Sequence, residues 1–198
     1  MTTNYFNKIS NAMRLWAIPV ITGLLLILSG LGIALVLDLK ALAKVISGFM
    51  FLSGFLGIIY VYVNNKRLDG RGFYLTLAGL DFVLAILLLT TSDIKITTIS
   101  MILSFWILFH GLGKIIYSID VQKLGIKNWD VDLITGILFV GYGVVSIFLM
   151  SLSPAFILLA TAIVLSLGGI FQICLALVRQ VKYKNYLSET ETAQVETI

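Results

Sequence analysis

Six apolar runs divide the chain, separated by short polar segments; they cover about 16–37, 45–63, 73–91, 97–119, 133–150 and 155–178. A helix rises about 1.5 Å per residue, so roughly 20 apolar residues cross the hydrocarbon core of a bilayer. None of the runs alternates in polarity as the strands of a membrane barrel do. Lipid offers no partner to a free backbone N–H or C=O, so each run is expected to be helical. The pattern predicts an all-α polytopic membrane bundle of six transmembrane helices.

The first run, AIPVITGLLLILSGLGIALVL, is longer than a signal-peptide core and lacks a small-x-small cleavage site, so it is expected to remain as a spanning helix. Before it, residues 1–14 place Tyr5, Phe6, Ile9 and Met13 on one helical stripe, which suits an interfacial helix or a frayed terminus. The spanning domain is expected over 15–180, followed by a polar tail over 181–198 whose end, LSETETAQVETI, reads as disordered.

Composition agrees with the pattern. Of 198 residues 59% are hydrophobic and only 12% charged, with a formal net charge of +4. Soluble domains carry about a quarter charged residues. Too few charges remain here to clothe a water-facing surface, and lipid is the expected partner. The basic residues are unevenly placed. Lys8, Arg14, Lys66, Arg67, Arg71, Lys123, Lys127, Arg179, Lys182 and Lys184 fall on one side, against Lys40, Lys44 and Lys95 on the other. The positive-inside rule then puts both termini in the cytoplasm of a cell whose inner membrane holds the protein. Basic residues so distributed report topology and give no nucleic-acid footprint. Trp16 and Trp129 read as anchors at the inner interface. Cys174 stands alone, which excludes an internal disulfide and leaves a core or lipid-facing role.

An internal repeat organises the runs. Thr22-Gly23, Ala78-Gly79 and Thr135-Gly136 recur 56 and 57 residues apart in the odd runs, and Gly54, Gly111 and Gly168 recur every 57 in the even runs. Seven residues before the latter stand Ser47, Ser104 and Thr161. Seven residues return to nearly one helical face, and seams of small residues let helix backbones approach closely in lipid. Gly23, Gly54, Gly79, Gly111, Gly136 and Gly168 are therefore the expected packing glycines. The reading is three helical-hairpin repeats, about 15–65, 71–121 and 128–180, related by pseudo-threefold symmetry about the membrane normal.

This rhythm of Trp16…Gly23…Gly30, Gly79, Trp129…Gly136…Gly143 with Gly54, Gly111 and Gly168 resembles the HdeD family, membrane proteins of short repeated helix pairs named after a bacterial acid-resistance protein. The family's proline at the end of each odd helix survives only as Ser153-Pro154, with Leu37-Asp38 and Thr91-Ser92 at the other two places. The resemblance implies a six-span inner-membrane protein of acid or general stress tolerance. It implies no catalytic residues.

Three ionisable residues lie within the spans: Asp81, His110 and Lys114. A charge at the helix centre costs about 2.5–3.5 kcal/mol on insertion scales, so each needs a partner. By helical rise Asp81 sits about 14 Å and His110 about 15 Å from the inner boundary. Lys114 is one turn nearer that boundary on the same face as His110. Both basic groups are expected to face Asp81. Such a cluster serves as a structural polar network, as a proton-responsive switch through the histidine, or as part of a transport pathway. A strict 57-residue repeat gives Ser53 and Leu167 as equivalents of His110, and Gly57 and Phe171 as equivalents of Lys114. The charges thus belong to one repeat, with Gln172 the other strong polar candidate, which argues against a symmetric pore.

No HExxH, aspartate pair, P-loop or dinucleotide fingerprint is present, and no nucleophile accompanies the histidine. The expectation is a non-catalytic membrane protein without metal or cofactor. Its apolar exterior suits lipid or another copy of itself. A small channel or carrier for protons or a small solute is the alternative. Trp106, deeper than the other tryptophans, reads as packing.

Overall fold

In the computed structural model the described residues are 17–36, 38–64, 70–91, 94–123, 129–149 and 153–195. They form six helices and no strand: α1 (Ala17–Leu35), α2 (Leu39–Asn64), α3 (Arg71–Thr90), α4 (Ile96–Lys123), α5 (Trp129–Leu149) and α6 (Pro154–Val195). Helices α2 to α6 are long and apolar enough to cross a bilayer, while α1 contains a shorter apolar stretch, Val20–Leu35. The interfacial segment 1–14, Trp16, Leu37, Ser92 and the basic residues Lys66, Arg67 and Lys127 lie outside the described residues. The tail expected to be disordered from residue 187 instead continues α6 as far as Val195. Its Leu, Glu, Ala and Gln are good helix formers despite their polarity, so composition misled there.

The even helices begin alike. The amide of Leu42 donates to the Asp38 carbonyl at 2.8 Å, that of Ile99 to Lys95 at 3.2 Å and that of Ile157 to Ser153 at 3.2 Å. These starts are 57 and 58 residues apart, not 57 twice. Asp38 adds a side-chain cap, its Oδ2 accepting from the Ala41 amide at 2.8 Å. Asp38→Ala is expected to cost about 1 kcal/mol in thermal unfolding, the usual worth of an N-cap. Pro154 occupies the first position of α6, where a missing N–H costs nothing.

From those starts the same register carries three buried layers toward the middle of the bundle. They are Leu42/Ile99/Ile157, then Ile46/Leu103/Thr161, then Met50/Ile107/Leu165, each residue at most 2% exposed. The even helices therefore supply the core, and α4 is the most enclosed, with half of its spanning window buried.

The closest helix pairs are not the hairpins expected from the sequence. They are α2 with α3, α4 with α5, and α6 with α1, so the intimate contacts join one repeat to the next and the chain ends close the ring. Glycines explain this choice. A Cβ on Gly54 would stand 2.9 Å from the Ala78 carbonyl oxygen, and one on Gly111 2.9 Å from that of Gly136. A Cβ on Gly23 would stand 2.8 Å from the Gly169 carbonyl oxygen. Three equivalent crossings result: Gly54/Ala78, Gly111/Gly136 and Gly169/Gly23. Backbones meet there because no side chain separates them, the condition for tight packing in lipid.

Two of the expected packing glycines change role. Gly79 has nothing within 4 Å of its added Cβ, and Ala78 makes the crossing in its place. Gly168 faces the Phe139 ring, whereas Gly169 meets α1. Cys174 is exposed on the apolar exterior.

Candidate functional site

Asp81 follows the α2/α3 crossing by one helical turn, and its Cβ lies 3.2 Å from where a Cβ on Gly54 would be. The close approach of α2 shields the carboxylate, whose side chain is 3% exposed. Opposite it, α4 presents Trp106 and His110 four residues apart and hence on one face. Trp106 Nε1 donates to Asp81 Oδ1 at 2.8 Å. His110 Nε2 lies 3.0 Å from the same oxygen. The two rings also touch edge to face, with centroids 4.6 Å apart.

An ionised carboxylate only accepts hydrogen bonds. With Asp81 ionised, the hydrogen of the pair sits on His110 Nε2. Among the described residues Nδ1 has no hydrogen bond within the protein, and neither has Asp81 Oδ2. The histidine side chain is 31% exposed, so its free edge is reachable while the carboxylate stays enclosed.

Lys114 takes a different partner from the one expected. Its Nζ donates to Gln172 Oε1 on α6 at 2.9 Å and lies 5.8 Å from the centroid of the Phe139 ring. Gln172 Nε2 in turn donates to Thr22 Oγ1 on α1. Asp81 and His110 are thus brought together as their matching depths predict, and Lys114 serves a second network across the α6/α1 closure. The shift from 57 to 58 explains this. Counted from the crossings, the equivalents of His110 are Ser53 and Gly168, and the equivalents of Lys114 are Gly57 and Gln172. The lysine and glutamine that bond each other are therefore repeat mates.

Both networks line one cavity of about 230 Å³. Its first lining residues on α2, α4 and α6 are Phe49, Trp106 and Leu165, at the third apolar layer. From there it extends toward Tyr60, Tyr117 and Asp132, at the end of the bundle that bears Arg71 and Lys123. It is one-sided: the layers above Met50/Ile107/Leu165 contribute nothing to its wall. The buried serines of the closed half are spent on backbone carbonyls: Ser104 donates to that of Ser100 at 2.8 Å, Ser47 to that of Lys44 at 2.9 Å, and Ser100 across to that of Pro154 on α6 at 3.0 Å. They form no polar track onward.

A second polar group stands at the end of the cavity away from Asp81. Tyr74 O–H donates to Asp120 Oδ2 at 3.1 Å, and the Tyr60 ring stands edge-on to Tyr74 and Tyr117 at 5.9 and 6.4 Å. Asp120 and Asp132 are each 5% exposed. Nothing in the local pattern marks Asp120, and Trp106, expected as packing, is also a hydrogen-bond donor. Asp132 had a visible signal, since Asp132, Thr135, Gly136, Phe139 and Gly143 form one buried helical stripe. Trp106 carried none, because an indole N–H finds its acceptor only in three dimensions.

Residues 76–148 match the family described as a short repeat of unknown function (DUF308). The matched stretch runs from α3 through α5 and holds Asp81, Trp106, His110 and Lys114 together with the Gly111/Gly136 crossing. No curated protein and no solved structure matches the chain.

Proposed function

We propose that this is a non-catalytic membrane protein of acid or stress tolerance, as its resemblance to the HdeD family implies, and that the Asp81–His110 pair makes its bundle respond to acid. The carrying observation is the 3.0 Å contact of His110 with a carboxylate enclosed in the bundle, on a cavity that reaches the Lys/Arg-rich end. Under the positive-inside rule that end is cytoplasmic, in a bacterial inner membrane. Histidine is the side chain that ordinarily changes charge between about pH 5 and 8. Protonation at Nδ1 turns a neutral ring beside a carboxylate into an ion pair and adds a positive charge to a low-dielectric wall that already holds Lys114. The match to the short-repeat family, to which HdeD proteins belong, supports the reading. The exposed apolar faces suit lipid or a second copy of the chain.

Trp106 reports the event, since it touches both members of the pair. With Trp16→Phe and Trp129→Phe it becomes the sole emitter. In bilayer nanodiscs its emission is expected to follow a one-proton curve between pH 8 and 5, and to stay flat when His110→Gln is added. A flat response in the protein that keeps His110 defeats the reading. In cells, the wild type is expected to raise survival of acid challenge and His110→Gln to give no benefit. The carrier alternative must open three apolar layers to reach the far side, and proteoliposomes showing no proton or solute flux would dispose of it.

A further inference from the structure

We propose that the cavity binds a small monovalent organic cation with an apolar body, the ammonium seated on Asp81 and the hydrocarbon among Phe49, Trp106 and Phe139. The first ground is an unfilled acceptor. Asp81 Oδ2 has no hydrogen bond within the protein among the described residues, although the side chain is 3% exposed and lines the cavity. A buried carboxylate oxygen in an apolar wall calls for a donor. The space beside it, about 230 Å³, exceeds what one or two waters need at about 30 Å³ each.

The second ground is the character of the wall. Aromatic rings line it along its length: Phe49, Trp106 and Phe139 in the half that holds Asp81, and Tyr60, Tyr74 and Tyr117 toward the other end. Ring faces attract cations, most strongly where water is excluded. Phe139 already holds the Lys114 ammonium at 5.8 Å, so this wall accepts a cation in the protein itself.

The third ground is charge. Among the described residues, the titratable groups facing the cavity are, by helix, none on α1, Tyr60 on α2, Tyr74 and Asp81 on α3, His110, Lys114 and Tyr117 on α4, Asp132 on α5 and none on α6. Asp81 and Asp132 both face the cavity and attract a cation. An anion meets two carboxylates instead. Protonated His110 stands 3.0 Å from Asp81 and competes for the same charge, so acid is expected to expel the ligand. This competition rests on the acid-response reading; binding at neutral pH does not.

Three probes of one shape test the proposal in nanodiscs: 2-phenylethylammonium, the neutral 2-phenylethanol and the anionic phenylacetate. Calorimetry and Trp106 emission at pH 8, corrected with empty nanodiscs, are expected to show one saturable ammonium site. The ammonium binds at least tenfold tighter than the alcohol, and phenylacetate does not bind. Asp81→Asn removes that tenfold preference and leaves the alcohol unchanged. Ser53→Leu, which fills the cavity without touching a charge, abolishes both. Equal binding of alcohol and ammonium, no ammonium binding, or ammonium binding untouched by both variants overturns the proposal. At pH 5.5 the ammonium is expected to bind at least fivefold more weakly, and His110→Gln to erase that difference. If the ammonium fails to bind while Trp106 still titrates, the ligand assignment falls alone. Ammonium binding that ignores pH leaves the site standing and removes the acid response.

Discussion

Gly111→Leu is expected to unfold the bundle, by more than about 3 kcal/mol, while Gly79→Ala leaves it unharmed. The size of the first effect follows from what the new side chain meets. A Cβ at 111 would stand 2.7 Å from the Val140 amide nitrogen and 2.9 Å from the Gly136 carbonyl oxygen. Both are backbone atoms in the middle of α5, and neither can turn aside as a side chain would. Helices α4 and α5 would have to separate along their most intimate contact, and overpacking alone costs about 1–3 kcal/mol where neighbours can yield. The separation would also move Trp106 and His110, which α4 carries. At Gly79 the added Cβ meets nothing within 4 Å, and alanine improves helix propensity by up to about 1 kcal/mol over glycine. Thermal unfolding in detergent followed by circular dichroism separates the two. A Gly111→Leu protein that melts like wild type would mean that the α4/α5 crossing is not as described.

The second large effect belongs to Asp81. Asp81→Ala is expected to cost about 2–3 kcal/mol and Asp81→Asn about 1 kcal/mol or less, measured by the same melts at pH 8. Alanine leaves the Trp106 N–H without its acceptor in a place where Trp106 is 4% exposed, and an unsatisfied buried donor costs about 1–3 kcal/mol. His110 suffers less, because a side chain 31% exposed can find water. Asparagine keeps an oxygen that accepts from both rings and gives up the charge alone. Equal losses for the two variants would show that charge, and not the hydrogen bonds, governs the site's stability.

The pair at the heart of the site was legible because depth along a helix is a one-dimensional quantity. Asp81 and His110 lie equally far from the inner boundary on neighbouring helices, and no knowledge of packing is needed to count residues. Lys114 was misassigned because its partner depends on rotation. One residue of extra length in the stretch between Gly111 and Gly136, compared with that between Gly54 and Ala78, turns the register of α6 by one position. Gln172, and not Phe171, then stands where Lys114's repeat mate belongs. The extra length lies in α4, which runs twelve residues past Gly111 where α2 runs ten past Gly54, so a strict period drawn from the sequence passed over it. Asp120 stayed unremarked for a related reason. Its position near the end of α4 suggests solvent, and only the approach of neighbouring helices encloses it.

The sequence by itself determined six apolar helices, five of them long enough to cross a bilayer, three related pairs, and which carboxylate and imidazole share a depth. These follow from hydrocarbon thickness and from the demand that every backbone polar group find a partner along its own helix. Only the tertiary structure decided which helices pair closely, which of two adjacent small residues makes each crossing, and that the cavity lies in one half of the bundle. Those outcomes depend on how side chains interlock across helices, where a rotation of one residue exchanges a contact with backbone for open space, and no local pattern along the chain records that choice.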